Sequence, residues 1–286
     1  MATLDLAEYL RTHRLSVDDH LERRLPAADV PPAPVNEAVR YITFSGGKRL
    51  RPICTLAVAE IFEHPDAAIF DAASAVELAH TASLILDDLP CMDDATERRG
   101  KAPLHLTFST ETAILASMAA LSHAFRLADS ARAARRPEGR TAALLAEAIG
   151  TSGLVLGQHL DLHMTGRETS LEEIQQIHHH KAGALFVAAI AIPLDLLGRP
   201  AEECDALLQY AEKLGLAFQI TDDIQDEMTE AEHAGKTTFT DHLGREGAQA
   251  RVDQLTEEAL AALEPFGHRA EPLLLLAQHV RASSRG

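Results

Sequence analysis

The 286-residue chain contains no tryptophan, and aromatic residues make up only 4% of it. A cavity walled with ring faces to steady a carbocation is therefore poorly provided for. Cysteine is scarce as well. Cys54, Cys91 and Cys204 are far apart, odd in number and form no CxxC pair, which excludes a disulfide framework. A reducing, cytoplasmic setting is expected. Alternating β-branched runs are almost absent, so strands are not expected. Long hydrophobic runs are missing too. The longest, Leu185 to Leu194, stops at Asp195, short of the ~20 residues that a bilayer span needs. The opening stretch MATLDLAEYLRTHRL carries acidic residues and no apolar signal core. Positive charge is in deficit, with 26 Lys and Arg against 43 Asp and Glu and a formal net charge of −17. That balance excludes the basic footprint of a nucleic-acid binder and adhesion to anionic membranes.

Alanine and leucine, both strong helix formers, dominate the chain, and 46% of its residues are hydrophobic. Helical spacing covers residues 3–24, and PAADVPPAP at 26–34 breaks it. It resumes over 35–44, ends at SGG, and restarts near Pro52, a residue suited to a helix start. Further helices are predicted over 51–63, 67–88, 105–128, 139–165, 171–190, 202–230, 245–263 and 271–282, with Ser170 as an N-cap. No linker or fixed-period repeat interrupts residues 1–286. The expectation is one all-α domain of ten or more helices.

Two acidic clusters stand out. In LILDDLPCMDDATERRG (84–100) an apolar helical run leads into Asp87 and Asp88, at the helix end that disfavours negative charge. Pro90 then breaks the helix, so the chain can curl and return Asp93 to Asp87. In FQITDDIQDEM (218–228), Asp222 and Asp226 are four apart on one helix face with Asp223 beside them. Like charges so placed call for a compensating cation, and oxygen ligands suit Mg²⁺. A lone acidic pair on a helix is usually solvated surface. Two such clusters, each behind an apolar helix, point instead to a metal site that takes phosphate.

Basic residues complete the pattern. GGKRLRP (46–52) sets Lys48, Arg49 and Arg51 at a glycine-flexed turn and a helix start, a phosphate cradle. Arg98 and Arg99 follow the first acidic cluster, and Lys181 and Lys236 stand near segment ends. Two polyanions are implied, one bridged by metal and one gripped by Lys and Arg.

GGKRLRP, DDLPCMDDATERRG, HKAGALF, GLAFQITDDIQDE and GKTT, in this order across residues 36 to 250, resemble the trans-isoprenyl diphosphate synthases of the polyprenyl synthetase family. The resemblance implies an all-α bundle around a central cavity, a homodimer, and three Mg²⁺ ions once diphosphate is bound. It implies that Asp87, Asp88, Asp93, Asp222, Asp223 and Asp226 hold the metal. Lys48, Arg51, His80 and Arg99 would hold isopentenyl diphosphate. Arg98, Lys181, Gln219 and Lys236 would reach the allylic partner, which is dimethylallyl, geranyl or farnesyl diphosphate. By the same resemblance the position five before the first aspartate limits product length. Ala82 and Ser83 there are small, and Val76 and Ala79 below them also leave room. The product expected is the twenty-carbon geranylgeranyl diphosphate, with farnesyl or longer polyprenyl diphosphates as alternatives.

The sequence departs from that pattern in four places. Ala95-Thr96-Glu97 replace further acids, Ala182 follows Lys181 where threonine is usual, Met118 stands at an aspartate position, and the loop before Lys236 is short. Readings from other classes are a cyclising terpene synthase, disfavoured by the few aromatics, and a non-catalytic subunit of a heteromeric synthase, disfavoured by the full acidic motifs. The run His178-His179-His180 points in three directions on a helix and reads as incidental. His159 and His163 are a possible zinc pair without an evident third ligand. Gln158 and Asp161 read as lining residues or as simple helix packing.

Overall fold

The computed structural model describes residues 4–164, 169–226 and 237–285, with Met164 and Asp226 described by their backbone alone. The chain is all-α, and no strand occurs among the described residues apart from one isolated bridge between Arg98 and Lys101.

The first four helices are α1 (Leu6–Arg24), α2 (Ala33–Thr43), α3 (Leu50–Phe62) and α4 (Ala67–Asp87). Asp5 and Asp66 cap α1 and α4 by accepting the free amides of their first turns. The segment read as one helix over 105–128 is two. A single turn, α5 (Leu104–Thr107), ends at Phe108, and Ser109 then caps α6 (Thr110–Arg135). The segment read as 139–165 also divides, into α7 (Thr141–Ile149) and α8 (Leu154–Met164), at the glycines 150 and 153. Ser170 forms a capping box with Glu173 at the start of α9 (Leu171–His178). One π-helical turn, His179–Gly183, joins α9 to α10 (Ala184–Leu196). Then come α11 (Ala201–Asp226), α12 (Phe239–Ala262), a 3₁₀ turn and α13 (Glu271–Ser283). The stretch 232–244 is expected to end in a short helix ahead of 245–263; Thr238 and Asp241 form the capping box that starts it at Phe239, and the kink at Gly244 (φ 66°) separates it from the rest of α12.

Two hydrophobic clusters hold these helices. One is built chiefly from α1, α2, α4, α6 and α7, the other from α11, α12 and α13, and α3 and α10 contribute to both. Between α4 and α6 the contact is largely alanine on alanine, including Ala75, Ala79 and Ala82 against Ala113, Ala116 and Ala120, all buried. Helices α4 and the stretch Leu171–Leu196 are long and apolar enough to cross a bilayer. In α4, 78% of the most apolar window is buried inside the protein, against 50% for Leu171–Leu196. The role of α4 is thus that of a core helix, and the salt bridges from His20 and Arg24 to its buried Asp71 pin α1 across it.

Candidate active site

Helix α4 delivers the first acidic cluster. Its last residue is Asp87, and Asp88 caps it with an amide bonded to the Leu84 carbonyl. The chain then turns back, and the Asp93 amide donates to the Asp87 carbonyl at 2.9 Å. The curl expected after Pro90 is therefore present, and it gathers all three aspartates. Asp88 is buried, and its Oδ1 accepts from Nε of Arg98 at 2.9 Å. The other oxygen, Oδ2, is buried with no hydrogen-bond partner among the described residues. Burial, and the like charges of Asp93 and Asp88, push the Asp87 carboxyl up to about 6, against the pull of Lys181 and Arg98. A carboxyl held up by neighbouring carboxylates and a buried carboxylate oxygen without a partner are the donors that a hard divalent cation satisfies. The first cluster fits Mg²⁺ on that ground.

The π-helical turn carries Lys181. Its Nζ lies 2.5 Å from Oδ2 of Asp161 on α8, and its charge also acts on Asp87. Gly157 makes this approach possible, because a Cβ there would lie 2.1 Å from the Lys181 backbone nitrogen. Such π-turns reset the direction of side chains inside a helix and recur at functional sites. Beside Asp161, the buried amide of Gln158 has neither oxygen nor nitrogen bonded. Of the two, Asp161 reaches the site through its bond to Lys181.

The second cluster lies at the end of α11. Asp223 Oδ2 accepts the Phe239 amide at 3.0 Å and faces His178 Nε2 at 3.7 Å. Gln219, one turn earlier on α11, favours the charged form of the same histidine. Loss of hydration lowers the His178 pKa, opposed by Asp223 and Asp161. His178 thus belongs to the site, whereas sequence reading set it aside with His179 and His180. The missing signal was its partner, Asp223, which comes from the distant helix α11. Asp161, Lys181 and His178 form the bridge by which the two acidic clusters share one region. Asp222 acts on Arg51 and, with Lys48, Arg11, Arg14, Phe218 and His279, lines a cavity of about 360 Å³ between α1, α11 and α13. The Asp226 side chain and Lys236 lie outside the described residues.

The cationic cradle forms at the start of α3. Gly46 and Gly47 have φ of 102° and 119°, and the Arg99 guanidinium lies where a Gly47 Cβ would stand, at 2.7 Å. Arg99 Nη1 donates to the Gly46 carbonyl at 2.5 Å. Lys48 extends over the Phe218 ring at 5.7 Å. Arg51 has a buried, unpartnered Nε, and burial lowers its pKa, with Glu77 and Asp222 opposing. His80 on α4 sits among the arginines. Desolvation, then Arg51, Arg99, Arg98 and Arg49, lower its pKa well below the ordinary value, so it is neutral at pH 7. Arg49 points inward, unlike its neighbours in GGKRLRP. Among the described residues only Arg49, Asp94 and Arg99 combine a side chain with a left-handed backbone. All three border the site, where such strain is typically kept.

Ala82 and Ser83 lie one turn below the aspartates. Ala82 is buried and its carbonyl accepts from Ser117 Oγ of α6 at 2.9 Å. Ser83 Oγ bonds the His80 carbonyl. Met118 is 64% exposed, turned away from the Ser117–Ala82 contact.

Comparison with known proteins agrees with this geometry. The polyprenyl synthetase family profile matches residues 32–247. A putative geranylgeranyl pyrophosphate synthase of Arabidopsis thaliana is 40% identical over 87% of this chain and 74% of its own. Another, geranylgeranyl pyrophosphate synthase 3 of the same plant, is 37% identical over 98% and 82%. Among solved structures, an FPP/GFPP synthase from Zymomonas mobilis superposes with a TM-score of 0.89 at 33% identity, covering 96% of this chain and 98% of that one. A geranyltransferase from Legionella pneumophila gives 0.91 at 29%, covering 98% of each chain. With its paired acidic clusters, its arginine cradle and its helical architecture, the chain belongs to the polyprenyl synthetase family.

Proposed function

We propose that the protein is a Mg²⁺-dependent head-to-tail prenyltransferase that condenses isopentenyl diphosphate with an allylic diphosphate and releases geranylgeranyl diphosphate. The observation that carries this reading is the division of the site. Asp87, Asp88, Asp93 and Lys181 act on one another at the end of α4, and Arg51, His80 and Arg99 form a second group, to which Asp222 is tied through Arg51 and Lys48. Two relatives named as geranylgeranyl pyrophosphate synthases, one of them as putative, support the twenty-carbon product.

Asp87, Asp88, Asp93, Asp222, Asp223 and Asp226 would hold the metal, Asp88 through its unpartnered Oδ2. Bound Mg²⁺, three ions in all, would supply the Lewis acidity that stabilises the departing diphosphate. Lys181, Arg98, Gln219 and Lys236 orient the allylic diphosphate beside them. Asp88 holds Arg98 through its hydrogen bonds, and Asp223 holds the start of α12, so both act on the site through other groups as well. Arg51, Lys48 and Arg99 bind the second diphosphate, and neutral His80 offers it a hydrogen bond without competing charge. The isopentenyl double bond then attacks the allylic carbon as the C–O bond breaks, and a proton leaves to the released diphosphate. Buried α4 keeps water from the growing chain.

Buried Ala82 and half-buried Ser83 leave the chain room to reach twenty carbons. Met118, with Leu106, Ile114 and Leu115, forms an exposed apolar face on α5 and α6 that supports a homodimer. We further propose that residues 1–286 form one domain without a membrane span and without affinity for nucleic acid. The free cysteines and acidic charge support a reducing, cytoplasmic setting.

The test is turnover by the purified chain with Mg²⁺, labelled isopentenyl diphosphate and dimethylallyl, geranyl or farnesyl diphosphate. A twenty-carbon product is expected. Farnesyl diphosphate as the sole end product would overturn the product length, and no condensation at all would overturn the function.

A further inference from the structure

Glu77 is the acid nearest the arginines of the cradle, and it lies three residues before His80 on the same face of α4. It is 2% exposed. Its Oε1 accepts from Arg49 Nη1 at 2.7 Å. Arg49 is equally buried and reaches further, with Nε donating to Asp18 of α1 at 2.8 Å and Nη2 to the Thr43 carbonyl at the end of α2. One guanidinium therefore ties three helices at the point where its own backbone is left-handed, with φ of 53°. Glu77 also attracts Arg51 and Arg99, which repel each other.

Four arginines and a histidine crowd this corner. Without an interior anion the empty cradle would spread apart, since like charges at low dielectric repel strongly. An anion that occupied the donors of Arg51 and Arg99 would block substrate. The observed arrangement avoids both outcomes. The Glu77 hydrogen bond goes to Arg49, while Arg51 keeps a buried Nε unpartnered.

We propose that Glu77, acting with Arg49, is a positioning residue for the isopentenyl diphosphate subsite. It holds Arg51, Arg99 and His80 at diphosphate spacing in the empty enzyme and touches no substrate itself. This rests on the assignment of that cradle under the proposed function. A purely electrostatic role predicts the opposite sign, because removing a negative charge beside three arginines would make an anion bind more tightly.

Glu77→Gln separates these outcomes, since it keeps the shape and a hydrogen-bond acceptor for Arg49 while removing the charge. Calorimetry would measure the binding of isopentenyl diphosphate alone, and of dimethylallyl diphosphate with Mg²⁺, to wild type and variant. The expected result is at least tenfold weaker binding of isopentenyl diphosphate, with dimethylallyl diphosphate within twofold of wild type. In steady state, KM for isopentenyl diphosphate rises while kcat falls less. Unchanged or tighter isopentenyl diphosphate binding overturns the proposal, and so does an equal loss for both substrates, the mark of a merely structural role. Should E77Q show no cooperative thermal transition, Glu77→Asp keeps the charge and shortens its reach. The same selective tenfold loss is expected there, and wild-type affinity overturns the proposal. If wild type itself binds neither diphosphate, the proposed function fails instead.

Discussion

Replacing Gly157 by alanine tests how tightly the π-helical turn is held. Alanine in an exposed helix would add about 1 kcal/mol of helix propensity over glycine. In α8 the added methyl meets backbone instead: 2.1 Å to the Lys181 nitrogen, 2.5 Å to its Cα and 2.6 Å to the His180 carbonyl carbon. Carbon and nitrogen atoms not bonded to each other need roughly 3.5 Å, so α8 and the turn must separate by more than an ångström. No side chain can rotate to relieve this. Overpacking of this kind costs about 1–3 kcal/mol or somewhat more, and the propensity gain offsets about 1 kcal/mol of it. For a chain of this size each kcal/mol moves Tm by about 2–4 °C, so a net loss near 2 kcal/mol, the end that contact with unyielding backbone favours, lowers Tm by roughly 4–8 °C in calorimetry. The separation also draws Lys181 Nζ from Asp161, now 2.5 Å away. A misplacement near 1 Å can cost about a hundredfold in rate, so kcat/KM for the allylic substrate should drop at least tenfold. A G157A protein with unchanged or raised Tm and wild-type kinetics would refute the claimed close approach.

Ala82→Phe puts a ring against the α6 contact at Ser117 and should shorten the product toward fifteen carbons or fewer, read by chromatography of the dephosphorylated products. Leu115→Glu adds charge to the exposed face of α6, where Leu115 is 51% exposed. Light scattering should then report monomer where wild type gives dimer, and a wild-type dimer in the variant would rule that face out. Arg98→Met leaves the buried Asp88 carboxylate without its partner, and breaking such a pair costs about 3–5 kcal/mol. Arg98 is partly exposed, so the lower end is expected in a denaturant titration, together with loss of turnover. His13 pairs with Glu60 at 2.8 Å, and the glutamate and the Tyr9 carbonyl hold its pKa above the usual value despite desolvation. The sign follows from the raised folded pKa: the stabilisation is full below the unfolded value near 6.5 and fades as pH rises through the folded one. The Tm difference between wild type and His13→Gln should therefore shrink over that window, and a difference constant with pH would count against the ion pair.

The helices were legible because their boundaries are written in local chemistry. Ser170 caps a helix, Pro52 sits in the first turn of another, and SGG follows the end of a third. The breaks inside long periodic segments were not. Nothing in the spacing of LEEIQQIHHHKAGALF distinguishes an α-turn from a π-turn, since that choice is made by Gly157 of another helix. The same holds at the site. Paired aspartates and GGKRLRP announce themselves by composition, and the return of Asp93 to Asp87 followed from Pro90. Arg49 is different. It reads as one more cation in a basic turn, and only a left-handed backbone and acids from α1 and α4 turn it inward. Glu77 carries no local mark either, being one of several polar residues in a mostly apolar helix.

The bond between Asp223 and the Phe239 amide changes how mutational data on the second cluster should be read. Asp223 ties the end of α11 to the start of α12, two positions sixteen residues apart. Loss of activity in Asp223→Ala would mix two effects, a missing charge and an unfastened α12. Asp223→Asn retains an oxygen for the Phe239 amide and removes only the charge. Comparing the two substitutions isolates the clasp, and a scan restricted to alanine would assign its whole contribution to metal binding.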